Sequence, residues 1–269
     1  MSKEKLNIVW IKRDIRTKDH EPFHFAENNE LSYLPVYIYE PSIINHSDCS
    51  LRHLQFTYHS ILCTNKKLSE YNKSIEIFHQ EAIEVFKYLN DKFEIQNIYS
   101  FHETGIRKTW ERDKALSVYF KSNNINWIES QRDGIVRGIK NRDSWDKQWY
   151  AKMNTPTIQN TFTIQNKINL NNPFTIPVDL EKKLMEYPEL YQIPGDTYAW
   201  KYLHSFCNKR GKKYSYHISK PTESRKSCGR ISPYLAWGNI SIKQAAQFVK
   251  THPNYKSNKR SFNGLLTRL

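Results

Sequence analysis

The chain has 269 residues, with 41 Lys and Arg against 27 Asp and Glu and a formal net charge of +14. That length holds two domains, or one and part of another, and no run approaches the roughly 18 apolar residues of a spanning helix. Met1-Ser-Lys-Glu-Lys-Leu-Asn7 lacks an apolar signal core, and Cys49, Cys63, Cys207 and Cys228 show no C-x-x-C pair or zinc spacing, so a cytoplasmic protein with reduced thiols and no metal is expected.

The excess charge is local. Residues 1–200 hold 26 basic and 26 acidic side chains, whereas residues 201–269 hold 15 basic side chains and one acid, Glu223. One-sided charge of this kind marks a surface for phosphates, in nucleic acid or in a cofactor. A merely solubilising face is the alternative, but such faces normally mix both signs.

From the N-terminus, short β-rich runs alternate with helical patterns. Leu6–Ile11, Tyr33–Tyr39, Ser74–Phe78, Ile95–Phe101 and Ile125–Ile128 read as five strands, the second stopped by Glu40-Pro41. Helices are expected over 51–72, 80–93 and 106–122; in the second, Ile83, Phe86, Tyr88, Leu89 and Phe93 lie mostly on one side. This alternation argues for an α/β fold, a doubly wound parallel five-stranded sheet with its crevice at the carboxyl ends of the strands. No G-x-G-x-x-G follows the first strand, so the ordinary NAD fingerprint is missing. Lys12, Arg13, Asp14, Arg16 and Asp19 crowd together just past that strand. Taken alone, they read as ion pairs bracing a loop: Arg13 or Arg16 with Asp14 or Asp19.

Residues 131–195 differ in composition. Asn, Thr, Gln and Pro dominate 154–177, which reads as an ordered crossing segment or linker between an α/β domain at 1–130 and a helical region from 196. In that region Thr197–Asn208, Ser232–Trp237 and Ser241–Val249 are expected to be helices, with Ser241 opening the last.

Ser227-Cys-Gly-Arg-Ile-Ser-Pro-Tyr-Leu-Ala-Trp-Gly238 is the most informative stretch. A Ser/Gly/Arg loop running into a Ser-Pro-Tyr helix start gathers backbone N–H groups around one guanidinium, which suits a diphosphate. A plain helix start with Ser232 as its cap fits the same residues equally well.

Several segments, in order along the chain, resemble the photolyase/cryptochrome family. Val9-Trp-Ile-Lys-Arg-Asp-Ile-Arg16, with Asp19 and Pro22 beyond it, is similar to the family's opening. Arg52–Leu62 is similar to the helix after its second strand, and Phe101-His-Glu-Thr-Gly-Ile-Arg-Lys-Thr-Trp-Glu-Arg-Asp113 to its turn at a strand end. Gln131–Arg137, Lys140–Trp145 and Trp149 resemble the segment that follows, and residues 227–232 resemble the flavin-binding loop.

The resemblance implies a light-dependent deoxyribodipyrimidine photolyase, a lyase that repairs UV-induced pyrimidine dimers in DNA by electron transfer from reduced FAD. It implies an antenna chromophore, of folate or deazaflavin type, in 1–130, and the beginning of an all-α FAD-binding domain in 196–269. Tyr214, Ser227, Cys228, Gly229, Arg230, Ile231 and Ser232 are then the cofactor-binding residues, with Tyr216 a competitor for the place of Tyr214. Cys228 and Gly229 depart from the family's commoner Thr-Ser, at about 0.5–1.5 kcal/mol for each hydrogen bond lost. Lys209, Arg210, Lys212, Lys213, Arg225 and Lys226 are the expected DNA-phosphate contacts. In the family a long helical region follows the loop and completes the flavin pocket. None follows Leu269 here, so the chain is expected to be inactive alone, with a complementing C-terminal half as a candidate partner beside DNA. The catalytic residues are left unassigned. A cryptochrome-like blue-light photoreceptor and a non-enzymatic remnant are the alternatives. Trp200 and Trp237 read as core residues rather than relay members.

Overall fold

In the computed structural model, which describes residues 3–269, the first elements are β1 (Lys5–Ile11), α1 (Glu21–Glu27), β2 (Tyr33–Ile38), α2 (Pro41–Ile44) and α3 (Leu51–Leu68). They are followed by β3 (Glu76–Phe78), α4 (Ala82–Lys92), β4 (Glu94–Phe101), α5 (Arg107–Ser122) and β5 (Asn126–Ser130). Helices α6 (Trp145–Met153), α7 (Val178–Met185), α8 (Asp196–Asn208) and α9 (Tyr214–His217) come next, then α10 (Pro221–Ser227), α11 (Ser232–Ala236), α12 (Ile242–Thr251) and α13 (Lys259–Leu266). The chain divides into two compact units, one formed by residues up to Arg132 together with Ile158–Tyr191, the other by Asp133–Thr157 and Gln192–Leu269. None of the described helices is long and apolar enough to cross a membrane.

In the first unit, the five strands form one sheet in the order β3-β2-β1-β4-β5, every pairing parallel. Side chains alternate across a strand, and β1 divides its apolar residues accordingly. Leu6, Ile8 and Trp10 enter a core with Phe86 and Leu89 of α4 and Leu116 and Phe120 of α5. Val9 and Ile11 enter the opposite core with Phe23 of α1 and Leu54, Tyr58 and Ile61 of α3. Helices thus cover both faces, which is what the near-continuous apolar strands require. The five expected strands and three expected helices of this region are present with ends shifted by a few residues. Helix α1 is an addition: His20 caps it, its Nδ1 accepting from the Phe23 N–H at 3.1 Å, with Pro22 in the first turn.

Residues 158–191 wrap this unit as a strap. Asp19 and Ile158 exchange two hydrogen bonds, N–H to carbonyl at 2.9 Å and N–H to carboxylate at 3.0 Å. Asn160 pairs with the backbone of His20 at 2.9 and 2.7 Å, Thr163 donates twice to Glu27, and the His79 N–H donates to the Phe174 carbonyl at 2.7 Å. Phe174 packs on one core, Phe162 and Leu184 on the other. The Asn160 and Asn172 side chains there satisfy backbone groups of His20 and Ile77, and the Thr163 hydroxyl donates to the Glu27 carboxylate.

The loop after β1 is braced through Asp14 and His20, with the Arg16 charge acting on Asp14 as well. Asp14 bonds to His20 Nε2 at 2.7 Å with both side chains fully buried, and its other oxygen accepts from the Lys12 N–H at 2.8 Å. Arg16 donates to the Asp19 carbonyl. Since His20 Nδ1 accepts a backbone hydrogen, its Nε2 carries the proton and donates it to Asp14. Burial pushes His20 below its ordinary 6.5 against the pull of Asp14. Burial opposes ionisation of Asp14 too, but the His20 hydrogen bond and nearby positive charge hold its carboxyl below 3.8. The pair is a neutral imidazole on a carboxylate.

The second unit is helical. Leu203, Phe206 and Cys207 of α8, Tyr214, Tyr234, Val249 and Phe262 are all buried. The Phe206 ring lies 5.6 Å from both Tyr214 and Phe262. Helix α12 starts with a full capping box, Ser241 Oγ accepting from the Gln244 N–H and Gln244 Oε1 from the Ser241 N–H, both at 2.9 Å. Helix α6, inside the segment read as linker, joins this unit by packing Trp149 and Met153 against Ala246.

The His20–Asp14 pair makes the first unit acid-sensitive. The unfolded chain protonates His20 near 6.5 while the folded chain resists, so stability is complete above that pH and declines as pH falls below it; Asp14 adds a second decline below 3.8. Denaturant melts from pH 7.5 to 5 should show the loss, and His20→Gln should flatten it while lowering stability by roughly 1–3 kcal/mol. Equal pH slopes for the two proteins would refute the assignment.

Candidate functional site

The carboxyl ends of β1, β2, β4 and β5 carry a buried ionic cluster. Lys12 Nζ lies 3.3 Å from Asp113 Oδ2 and 3.9 Å from Glu129. Arg112 reaches Glu40 at 2.5 Å, Asp113 at 2.7 Å and Glu103 at 3.5 Å. Burial lowers the Lys12 ammonium pKa and raises that of the Glu40 carboxyl. Trp10 lies beneath both cations, with Lys12 Nζ at 4.2 Å and Arg112 at 4.7 Å from its ring centre. The sheet order changes direction between β1 and β4, where doubly wound folds place their crevice. Arg13 is the most open member, with 39% of its side chain exposed and 4.0 Å from Glu103.

In the second unit the loop from Ser227 to Ser232 joins α10 to α11. Its peptide groups are strongly polarised. The carbonyls of Lys226, Cys228 and Gly229 accept from Arg210 at 3.3, 2.5 and 3.4 Å, that of Arg230 accepts from Gln192, and that of Ile231 from the Leu235 N–H at 3.0 Å. No hydrogen bond to a described residue is made by the N–H groups of Gly229, Arg230, Ile231 and Ser232. In a trans peptide the carbonyl and the following N–H point oppositely, so anchored carbonyls aim these four N–H groups the other way. Arg230 is left-handed at φ 57, and Ile231 follows at φ −101, ψ −4. Successive residues of opposite hand turn their N–H groups into one concavity, a form that takes anions.

The expected cofactor residues come together only in part as side chains. Tyr214 is buried beside the loop; burial raises its phenol pKa, Arg268 opposes that, and Cys228 adds to it. Tyr216 is 63% exposed, its ring 5.2 Å from Arg260. Ser227 turns inward, bonding to the Glu223 carbonyl at 3.1 Å and to His217 Nδ1 at 3.2 Å. Gly229 and Ile231 are buried, and a Cβ at Gly229 would stand 3.0 Å from Leu265. Arg230 lies 5.4 Å over the Tyr202 ring, and Ser232 is exposed. The helix cap is Ile231 rather than Ser232, which is already the first helical residue.

Five of the six expected phosphate contacts, Lys209, Lys212, Lys213, Arg225 and Lys226, are exposed and pair with no carboxylate among the described residues. Arg210 is the sixth, and its guanidinium turns inward to the loop. Gln192 and this use of Arg210 have no signal in the sequence, since both depend on long-range contacts to carbonyls. Trp200 is half-buried and meets the Phe248 ring edge-to-face at 5.5 Å.

The fold defines a doubly wound α/β unit, with a separate helical unit that presents a concave row of amides beside a basic surface. The DNA photolyase family pattern matches residues 7–158, and the chain belongs to that family. It is 22% identical over 276 residues to the deoxyribodipyrimidine photo-lyase of Buchnera aphidicola subsp. Baizongia pistaciae (strain Bp), covering 93% of this chain and 55% of that protein. Its fold is similar to that of a bacterial class III photolyase from Agrobacterium tumefaciens, with TM-score 0.75, 18% identity, and coverage of 100% of this chain and 58% of that one. A Synechocystis sp. PCC6803 cryptochrome gives TM-score 0.76 at 17% identity, over 100% of this chain and 60% of the other. An archaeal photolyase from Sulfolobus tokodaii, solved with two FAD molecules, gives TM-score 0.69 at 18% identity, over 97% and 58%. The chain therefore spans little more than half the length of these relatives.

Proposed function

We propose that this chain is the antenna-domain and flavin-loop portion of a light-dependent DNA photolyase that repairs UV-induced pyrimidine dimers. In this reading residues 1–130 form the antenna-cofactor domain, 131–195 connect, and 196–269 begin the helical FAD-binding domain. The observation that carries the reading is the polarised loop: four consecutive N–H groups without acceptors among the described residues, next to Arg230, in a region with one acid. These residues fit a diphosphate. Backbone amides and a guanidinium are the donors such a group takes, and the missing hydroxyls at Cys228 and Gly229 leave that backbone set intact. FAD held there supplies light absorption and electron donation; the chain's own part is to bind the diphosphate, to orient the cofactor and to attract DNA. Lys209, Lys212, Lys213, Arg225 and Lys226 form the DNA-facing surface. A cryptochrome-like photoreceptor shares the fold, and lesion-dependent DNA binding separates the two.

Arg230→Ala should remove a charge-assisted contact of roughly 1.5–3 kcal/mol and weaken FAD about tenfold or more in a flavin fluorescence titration. Unchanged affinity would remove the loop from the cofactor site.

DNA binding should be salt-sensitive, with the logarithm of affinity falling by about 0.9 per logarithm of salt for each phosphate neutralised. Charge reversal at Lys213 or Lys226 should lower that slope by about one contact each. Titrations of dimer-containing and intact duplexes at two salt concentrations read both quantities. A salt-independent affinity would contradict the basic-surface reading. Equal affinity for the two duplexes, in a complex that includes the remaining helices of the family pocket, would favour the photoreceptor.

A further inference from the structure

Arg210 makes an unusually complete set of contacts for a residue in a run of surface cations. A guanidinium has five N–H donors in a rigid fork, and all five have acceptors here. Nε donates to Ser205 Oγ at 2.7 Å, and one terminal nitrogen donates to the carbonyls of Lys226 and Cys228 at 3.3 and 2.5 Å. The other donates to the carbonyls of Tyr202 and Gly229 at 3.0 and 3.4 Å. Two acceptors belong to α8 and three to the segment entering the loop, so Arg210 joins a rigid helix to an otherwise irregular stretch.

None of the five acceptors is a carboxylate. The half-buried guanidinium keeps its charge beneath the loop without an acidic partner, and Arg230 is close enough to press on its electrostatics. Uncompensated positive charge at that depth favours an anion on the other side of the peptide groups. A lysine could supply charge but not this shape, since a single ammonium cannot span carbonyls on both sides of the gap.

We infer that Arg210 is the positioning residue of the loop: by anchoring the carbonyls of Cys228 and Gly229 to α8 it aims the amides of Gly229 and Arg230 at the diphosphate of FAD, while Gln192 holds the carbonyl that precedes the Ile231 amide. It touches no cofactor atom, and it is not part of the DNA surface. The inference rests on the flavin reading proposed above.

The test compares the whole chain with its Arg210→Gln, Arg210→Lys and Arg230→Ala variants. Each is titrated with FAD by fluorescence and with inorganic pyrophosphate by thermal-melt shift, and each is assayed for the salt dependence of DNA binding. Arg210→Gln should weaken both ligands about tenfold and leave the DNA salt slope unchanged. Arg210→Lys should recover melting temperature but not ligand affinity, a split that a purely structural brace would not produce. If Arg210→Gln fails to fold, the lysine variant decides alone, and wild-type affinity in it overturns the inference. Loss of affinity in Arg230→Ala with none in Arg210→Gln overturns the inference while the flavin reading stands. A wild-type chain that does not bind pyrophosphate, which needs only the loop and not the helices that complete the flavin pocket, overturns both.

Discussion

The helical unit's chemistry depends on one constraint: the carbonyls from Cys228 to Ile231 all accept hydrogen bonds from protein donors, so the amides that follow them cannot turn inward. Peptide planarity converts hydrogen bonds on one side of the loop into a row of unused donors on the other. A left-handed Arg230, costly for a residue with a Cβ, completes the concavity. Strain and unsatisfied donors in one short segment are what a ligand site leaves behind when its ligand is not counted.

The α/β unit uses charge in a different way. Its strand ends are filled by a network in which Lys12 and Arg112 face Glu40, Glu103, Asp113 and Glu129, and the loop after β1 is fixed by a neutral His20 on an ionised Asp14. Such networks cost desolvation, and they persist where geometry has to be held. Lys209, Lys212, Lys213, Arg225 and Lys226, by contrast, are exposed and pair with no carboxylate among the described residues, as a surface that meets phosphate should.

Much of this fold is legible from local pattern. The five apolar runs become the five strands because parallel strands buried on both faces have no polar alternation to obscure them. Ser241 and Gln244 make a capping box that spacing alone suggests. Helix α1 escapes because it is short, although His20-Glu21-Pro22 is a serviceable start signal. Residues 154–177 read as an ordered crossing segment or linker, but which unit the strap binds is not legible, because it is held by Asn160, Thr163 and Asn172 bonding to distant backbone and side-chain groups, and no local propensity encodes that. The loop's position is readable from Cys228-Gly229-Arg230-Ile231-Ser232. Its polarity is not, because nothing in the sequence says that Arg210, among Lys209, Arg210 and Lys212, turns inward. What separates them is the direction each side chain takes from its backbone.

The central claim is that the amides of Gly229, Arg230, Ile231 and Ser232 hold the diphosphate of FAD. Following backbone amide resonances of the isotope-labelled chain during titration with FAD tests it most directly. The account predicts the largest downfield shifts at these four N–H groups, reproduced by inorganic pyrophosphate and absent with riboflavin, which lacks the phosphates. Shifts confined to other residues, or equal shifts with riboflavin, would contradict it.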